Sequence, residues 1–233
     1  MSRLKKVVDR YMQKVPEVKG YCERCLATRR WNGNAVLMVV DAAFTSIGLN
    51  YFQAVVPKVE EFERAFVRTG KIKGMEGLAS ADAGELKKVW KNERSWQVAK
   101  EIASYLSSLK KKNLSDREAL IKWARNSGLE DWKNDAIGRI DGVGINTFQY
   151  LRMMGGVDTV MPDKIVKRVI KGILEEAGEK AEFRGDEEFV KEMQKIAEET
   201  GYKAIELCWM TWLVQSEGGK IRIQKYSKVL PKI

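Results

Sequence analysis

The spacing of apolar residues is the feature that most restricts the fold of this chain. Apolar side chains recur three or four residues apart in almost every long segment, and Gly, Asn or Pro separates the segments. Such spacing is typical of a helix with one buried face, whereas a half-buried strand requires strict alternation, which no pair of segments shows. We therefore predict an all-α fold. The predicted helices cover residues 3–14, 35–46, 49–56, 59–67, 80–90, 95–109, 115–126, 132–140, 145–154, 163–177, 186–200 and 204–216, and residues 16–34 are predicted to be irregular.

The chain is strongly basic. Its 233 residues include 42 Lys and Arg against 32 Asp and Glu, which gives a formal net charge of +10. This charge attracts polyanions and makes nucleic acid the first partner class to consider, although many basic proteins bind no nucleic acid specifically. No stretch approaches the ~20 consecutive apolar residues of a membrane span, and the N-terminus lacks the apolar run of a signal peptide. We expect a monomeric, cytoplasmic, nucleoid-associated protein of a prokaryotic or archaeal cell, without a membrane partner. The Lys- and Glu-rich composition is compatible with a heat-loving source.

The chain has no histidine and only three cysteines. Histidine is therefore excluded as a catalytic acid or base, and a zinc site of the usual four-ligand kind cannot be built within one chain. Cys22 and Cys25 form a Cys-x-x-Cys pair, for which we favour two thiols or a local disulfide over a redox centre or half of a metal site. We expect neither a metal nor a cofactor.

One short run has the composition of a phosphate-binding hairpin. It is Ile140-Asp141-Gly142-Val143-Gly144-Ile145-Asn146-Thr147, between the predicted helices at 132–140 and 145–154. Gly142 and Gly144 can adopt backbone angles that are closed to other residues, and the helix that follows then begins with bare amides suited to a DNA phosphate. Taken alone, Gly-Val-Gly between two helices is equally compatible with an ordinary helical turn.

The segment from Asp141 to Thr147 resembles the helix-hairpin-helix of the endonuclease III-like (HhH-GPD) DNA glycosylase superfamily, whose motif is Leu/Ile-Pro-Gly-Val-Gly-x-Lys-Thr-Ala. Members of that superfamily carry an essential aspartate about seventeen to nineteen residues after the motif's lysine, beyond a loop that contains glycine. Here Asp163 follows Asn146, which occupies the lysine position, by seventeen residues with two glycines between them. Residues 40–50 are similar to the helix and turn that line the base pocket of these enzymes, so the resemblance covers residues 35–177.

The resemblance implies two helical subdomains with a base-binding cleft between them, within a single glycosylase unit of residues 1–233. We expect a central subdomain at 50–155 that ends in the hairpin, and a second subdomain built from 1–49 and 156–233. The expected DNA contacts are Gly142, Val143, Gly144, Ile145, Asn146, Thr147 and Lys164.

Asp163 is the catalytic residue that the resemblance implies. Cleavage of an N-glycosidic bond builds positive charge on the deoxyribose, and a fixed carboxylate stabilises that charge more than it stabilises the ground state. The carboxylate can also orient or deprotonate the attacking water. An aspartate after a proline at a helix start is ordinarily an N-cap, which is the structural alternative.

Two departures from the superfamily pattern limit the chemistry. Asn146 stands where lyase-competent members carry a lysine that forms a Schiff base with the sugar, and an amide cannot form one. The resemblance therefore implies a monofunctional enzyme. The four-cysteine iron–sulfur loop near the C-terminus cannot form, because only Cys208 lies beyond the hairpin. We expect Trp209 and Trp212 to hold this region by core packing, with pocket lining as the alternative. Asp141 also replaces the usual proline of the motif.

Base flipping requires a wedge that fills the gap in the stack and a pocket that binds the extruded base. The candidates for these roles are Asp41, Phe44, Thr45, Asn50 and Trp209. Phe44 or a neighbour is the candidate wedge, with ordinary core packing as its alternative. Asp41 lies in an apolar helix, where it either reads a base edge or belongs to a buried hydrogen-bond network.

The favoured function is a monofunctional DNA glycosylase of base excision repair. Its partners would be double-stranded DNA with a damaged or mismatched base and a downstream abasic-site endonuclease. Pyrimidines such as uracil, 5-hydroxymethyluracil or mismatched thymine are preferred, with alkylated or oxidised purines as the alternative. A non-catalytic helix-hairpin-helix DNA-binding protein is the alternative from another class. The tail at 219–233 carries five Lys and Arg and no acid, which suits either an arm along the DNA backbone or a surface extension.

Overall fold

The computed structural model describes residues 1–110, 114–214 and 226–233. It confirms the all-α prediction, since these residues form helices and turns and no β-strand. In chain order the α-helices are α1 (Arg3–Met12), α2 (Val18–Leu26), α3 (Ala35–Thr45), α4 (Val56–Phe62), α5 (Met75–Ser80), α6 (Ala83–Lys87), α7 (Glu93–Ser108), α8 (Asp116–Asn126), α9 (Ile145–Met154), α10 (Lys164–Ala177), α11 (Asp186–Thr200) and α12 (Ala204–Val214). Two π-helical turns, Tyr51–Val55 and Glu63–Val67, flank α4.

Two of the departures from the predicted boundaries concern residues 16–34 and 80–90. The region expected to be irregular at 16–34 contains α2, which buries Val18, Cys22 and Cys25 on one face. The charged residues and glycine between them obscure this helical spacing in the sequence. The helix expected at 80–90 is shortened to α6, because Asp82 caps α6 by accepting the Glu85 N–H at 2.8 Å. The helix α5, which ends at Ser80, was not predicted.

The helix expected at 132–140 is not formed, and a series of turns takes its place. The carboxylate of Asp135 accepts the N–H groups of Ile137 at 2.8 Å and Gly138 at 3.3 Å, and also the indole N–H of Trp123. Such local bonds compete with helical ones. The hairpin therefore has α9 as its second helix but lacks the predicted first helix.

The chain divides into two compact units, which we call the central unit (Thr28–Val157) and the terminal unit (Met1–Ala27 with Asp158–Ile233). The expected division assigned α3 to the subdomain built from both termini. In the structure α3 belongs to the central unit, because it packs against α7, α8 and α9.

The core of the central unit surrounds α3. Every residue from Ala35 to Phe44 is buried, as is usual for a helix that is apolar on all sides. Phe44 stacks on Trp90 with ring centroids 4.4 Å apart and meets Trp96 edge-on at 4.8 Å. These aromatic contacts join α3 to α7 and to the segment before α7.

The terminal unit packs α1, α2, α10 and α11 around α12. The helix α12 is buried from Ala204 to Thr211. Leu230 and Ile233, near the C-terminus, are also fully buried. Among the described residues, none of the helices combines the length and the apolar character needed to cross a lipid bilayer.

Candidate functional site

A tight turn leads into α9 and requires glycine at its centre. Gly142 has a φ of +95°, in the left-handed region that favours glycine. A Cβ at this position would lie 2.8 Å from Cγ2 of Val98 and 3.0 Å from Nε of Arg94. Both the backbone conformation and the lack of space therefore disfavour a larger residue. The N–H of Val143 donates to the carbonyl of Ile140 at 2.9 Å and closes the turn.

The N-terminus of α9 is open to an anion. Gly144 is its N-cap residue, is exposed and supplies no side-chain cap, and a Cβ there would meet nothing within 4 Å. The first amides of a helix have no partner within the helix, so they are suited to a phosphate oxygen. The side chains of Val143, Ile145 and Thr147 are buried. These three predicted contacts could therefore reach DNA only through their backbone.

Two polar side chains, those of Asn146 and Asp141, lie beside this turn. Asn146 is half-buried, and its Oδ1 has no hydrogen-bond partner among the described residues. Asp141 is exposed and lies 3.4 Å from the Arg94 guanidinium. Such an exposed pair contributes little stability, but Arg94 partly offsets the negative charge that replaces the proline of the motif.

Asp163 is the N-cap of α10. Its Oδ1 accepts the N–H of Ile165 at 2.7 Å and of Val166 at 2.8 Å, so the structural alternative drawn from the sequence is confirmed. Both amides use the same oxygen, which leaves Oδ2 outside the cap. Capping therefore does not exclude a chemical role for the carboxylate.

The surroundings of Asp163 favour the protonated form of its carboxyl group more than bulk water does. Burial raises the pKa of Asp163, while the two amide bonds, a hydrogen bond from the Trp212 side chain and the charge of Lys167 act in the opposite direction. Trp212 and Cys208 lie one turn apart on α12, which packs against α10. Burial raises the pKa of the Cys208 thiol, so this neighbour is neutral at ordinary pH. Lys164, at the first position of α10, is exposed.

Asp41 belongs to a buried polar cluster in the central unit. Its Oδ2 accepts the indole N–H of Trp31 at 2.8 Å, the hydroxyls of Tyr51 at 3.0 Å and Tyr150 at 3.1 Å, and an N–H of the Arg30 guanidinium at 3.1 Å. Asp41 has no exposed surface. The buried-network alternative is therefore correct, and a base-reading role is not supported.

The same cluster holds an unusual backbone conformation. Trp31 and Asn32 have φ values of +50° and +56°, which are unfavourable for residues other than glycine. The bond from Trp31 to Asp41 anchors this turn. Sequence reasoning missed Trp31 and the other partners of Asp41. The isolated acid in an apolar helix indicated that partners exist, but not which residues they are.

The remaining pocket candidates have structural roles. Phe44 has no exposed surface and stacks within the core of the central unit, so the prediction of a wedge at Phe44 is wrong. The Thr45 hydroxyl donates to the Asp41 carbonyl at 2.8 Å. Asn50 is exposed and caps the π-helical turn by accepting the Gln53 N–H at 3.1 Å. Trp209 is 8% exposed and its ring lies 6.0 Å from that of Tyr21, as expected for core packing.

The two units carry different parts of the predicted site. The hairpin, Asp41, Phe44, Thr45 and Asn50 belong to the central unit, whereas Asp163, Lys164 and Trp209 belong to the terminal unit. Asp163, Trp212 and Cys208 are brought together within the terminal unit. The residue that sequence reasoning did not connect with Asp163 is Trp212, because a tertiary contact between α10 and α12 joins them.

The three cysteines are buried thiols that form no disulfide. Cys22 lies 3.6 Å from the carbonyl oxygen of Ile205, and burial raises its pKa. The Cys22–Cys25 pair is thus two thiols, not a disulfide, in an environment that opposes thiolate formation. Among the residues that the structure describes, no group of three or more Cys, Asp or Glu is arranged to hold a metal ion. Of the basic tail, residues 219–225 lie outside the described ranges.

Comparison of the chain with protein-family models, with curated proteins and with solved structures gave no match.

Proposed function

We propose that this protein is a monofunctional DNA glycosylase that hydrolyses the N-glycosidic bond of a damaged or mismatched base. One observation carries the proposal. A partly buried carboxylate, Asp163, is held by two amide bonds through one oxygen, and it follows the glycine hairpin at the spacing found in the glycosylase superfamily that the sequence resembles.

The environment of Asp163 suits the chemistry of this reaction. As the bond to the base breaks, positive charge develops on the deoxyribose, and a fixed carboxylate stabilises it without reorganising. Burial raises the pKa of Asp163, which makes its carboxylate a better proton acceptor from water. Water supplies the hydroxyl at C1′ and the base leaves with a proton. The product is an abasic site, on which an abasic-site endonuclease would act.

The position of Asn146 supports hydrolysis over a lyase reaction. A Schiff base requires an amine, and the side chain at this position is a half-buried amide. The same residue supports the second candidate function, a non-catalytic DNA-binding protein that uses the hairpin alone. The N-cap role of Asp163 is also compatible with that second function, so the two must be separated by activity.

The DNA contacts proposed are sequence-independent. The uncapped amides at the start of α9 would bind a backbone phosphate, and exposed Lys164 would bind another. The net charge of +10 would promote the first encounter with DNA. As substrates we favour pyrimidines such as uracil, 5-hydroxymethyluracil and mismatched thymine over alkylated or oxidised purines.

The test compares the wild type with Asp163→Asn on end-labelled duplexes that each carry one lesion. Asn is a good N-cap, so this variant keeps the start of α10 while it removes the carboxylate. We expect strand breaks only after hot alkali, at one or a few lesions, and their loss in the variant. Breaks without alkali, or a covalent adduct after borohydride reduction, would contradict the monofunctional mechanism. Tight binding without cleavage at every lesion would favour the non-catalytic function.

A further inference from the structure

The first turns of α3 and α8 line one cavity in the central unit, with a volume of about 250 Å³. Its lining includes the N-cap residue and the first two residues of each helix, which are Asn34, Ala35 and Val36 for α3 and Ser115, Asp116 and Arg117 for α8. We propose that this cavity binds a phosphate group. The cavity shares no residue with the hairpin or with Asp163.

Two basic side chains, those of Lys73 and Arg117, give the cavity its positive charge. Lys73 is exposed, and in the part of the chain that the structure describes it has no ion-pair partner. Arg117 lies against the turn before α3, where its Cδ and Nε would be 3.7 Å and 3.8 Å from a Cβ at Gly33. A guanidinium presents several N–H donors in one plane and an ammonium adds a compact charge, so both are suited to phosphate oxygens.

The starts of the two helices add backbone donors to the cavity. Asn34 Oδ1 accepts the N–H of Leu37 at 3.1 Å, and Ser115 Oγ accepts the corresponding N–H of α8 at 3.2 Å. Each cap therefore serves the third amide of its helix, and the first two amides have no partner within the helix. In α3 these two amides belong to Ala35 and Val36, which are each only 4% exposed. Amides at a helix start favour an anion as their acceptor.

The one acid of the lining, Asp116, is already engaged within the protein. Its Oδ1 lies 2.8 Å from Nζ of Lys110, and its Oδ2 accepts the N–H of Met75 at 3.0 Å. Glu118, next along α8, uses Oε2 to accept the N–H and the hydroxyl of Ser115 at 2.7 Å each. The charge of Asp116 is thus offset by Lys110, and the two basic side chains of the lining leave the cavity positive.

The size of the cavity indicates which anion it accepts. Pockets for complete small-molecule ligands occupy about 300–1,000 Å³, and this cavity, at about 250 Å³, lies below that range. It is nonetheless roughly eight times the ~30 Å³ that one water molecule occupies. These volumes favour a single phosphate group over a whole nucleotide. Such a group belongs either to a free phosphate ion or to a nucleic-acid backbone, and the same donors would bind both.

The test is an amide NMR titration of the full chain with inorganic phosphate, compared with sodium chloride at equal ionic strength. We expect saturable shifts of the first-turn amides of α3 and α8 with phosphate and none with chloride. Arg117→Gln and Lys73→Gln each remove one charge-assisted contact, so each should weaken phosphate binding by about tenfold. Lys122→Gln, at an exposed position of α8 outside the cavity, is the control and should bind phosphate as the wild type does.

A second titration, with a short unmodified duplex, identifies the source of the phosphate group. If the site takes a backbone phosphate, the salt slope of duplex binding should fall by about 0.9 in Lys73→Gln and in Arg117→Gln but not in Lys122→Gln. If inorganic phosphate binds and duplex binding is equal in the three variants, the occupant is a free phosphate ion.

Two results overturn the proposal. One is the absence of shifts at these amides with both inorganic phosphate and the duplex, and the other is equal shifts in the wild type, Arg117→Gln and Lys73→Gln. Lys73→Gln keeps the test valid if Arg117→Gln does not fold, because Lys73 is exposed. The proposal does not rest on the glycosylase function, whose failure would appear as uncleaved lesions in the wild type whatever these titrations show.

Discussion

At the scale of single residues, Asp163 combines a structural and a proposed chemical role. Its Oδ1 caps α10, while its partly buried position raises its pKa. The sequence alone presented these roles as alternatives. The structure shows that the first is present and that it leaves the second open, because a cap uses only part of the carboxylate.

The two roles predict different results for two substitutions. Asp163→Ala should lower the free energy of unfolding by about 1 kcal/mol through loss of the cap, whereas Asp163→Asn should not.

Because the folded-state pKa of Asp163 is raised, the stability contributed by protonation of Asp163 is present at low pH. It is lost as pH rises from the usual carboxyl range, ~3.9, through the raised value. The wild type should therefore lose stability relative to Asp163→Asn across this range.

Urea unfolding of both variants between about pH 3 and about pH 8 measures this difference. A difference between wild type and Asp163→Asn that is constant with pH would show that Asp163 titrates alike in the folded and unfolded chains. If the free energy of unfolding of the wild type instead increases relative to that of Asp163→Asn as pH rises, folding lowers the pKa of Asp163.

A second prediction at this scale concerns Asp41. Asp41→Ala removes the acceptor shared by Arg30, Trp31, Tyr51 and Tyr150. Breaking a buried ion pair on one side costs about 3–5 kcal/mol, and urea unfolding should show a loss of this size. The control is Asp141→Ala, which removes an exposed partner of Arg94 and should leave the unfolding midpoint nearly unchanged. Similar midpoints for the two variants would exclude a structural role for the buried cluster.

At the scale of elements, the turn before α9 shows how local bonds override helical spacing. The apolar spacing at 132–140 predicts a helix, but Asp135 bonds to the amides of Ile137 and Gly138 and to the indole of Trp123. A side chain that satisfies backbone amides locally stabilises turns. The start of α9 could be predicted from the sequence. Gly142 allows the turn, Gly144 is the N-cap residue, and the helix begins at Ile145.

The two glycines of the hairpin should respond differently to alanine. Gly142→Ala introduces a side chain at a φ of +95° and places a Cβ 2.8 Å from Val98, so it should lower stability by about 1–2 kcal/mol and weaken DNA binding. Gly144→Ala adds a methyl group in open space. It should change stability by less than about 1 kcal/mol and still lower DNA affinity, because the methyl group lies where a phosphate would approach.

Urea unfolding and fluorescence anisotropy with a labelled duplex test this pair. Gly144→Ala is the informative variant, since its fold should be intact. Unchanged affinity for DNA in this variant would remove the N-terminus of α9 from the proposed interface.

At the scale of the whole molecule, the net charge of +10 predicts salt-dependent binding to duplex DNA. The logarithm of the affinity should fall linearly with the logarithm of salt concentration, by about 0.9 for each phosphate neutralised. Lys164→Gln should reduce this slope by about one if Lys164 contacts a phosphate. Lys195→Gln, an exposed position on α11 that pairs with Glu192, is the control. Equal slopes for the two variants would exclude a phosphate contact at Lys164.

The basic tail requires substitution rather than truncation. Removal of the chain after residue 217 would also remove Leu230 and Ile233, which are fully buried. Replacement of Lys220, Arg222 and Lys225 by Gln keeps these apolar residues. If the tail follows the DNA backbone, the salt slope should become flatter, by up to about 0.9 for each phosphate that the tail no longer neutralises. An unchanged slope would leave the tail as a surface extension.

The sequence by itself determined the all-α class, most helix boundaries, the glycine turn before α9 and the N-cap position of Asp163. These features depend on residues a few positions apart, whose spacing, capping and backbone preferences act locally. Tertiary structure decided that α3 belongs to the central unit, that Asp41 and Phe44 are core residues, and that α12 packs against α10, the helix that Asp163 caps. Each of these depends on packing between helices distant in the chain, and the partner of a buried group is set by that packing rather than by the residues beside it.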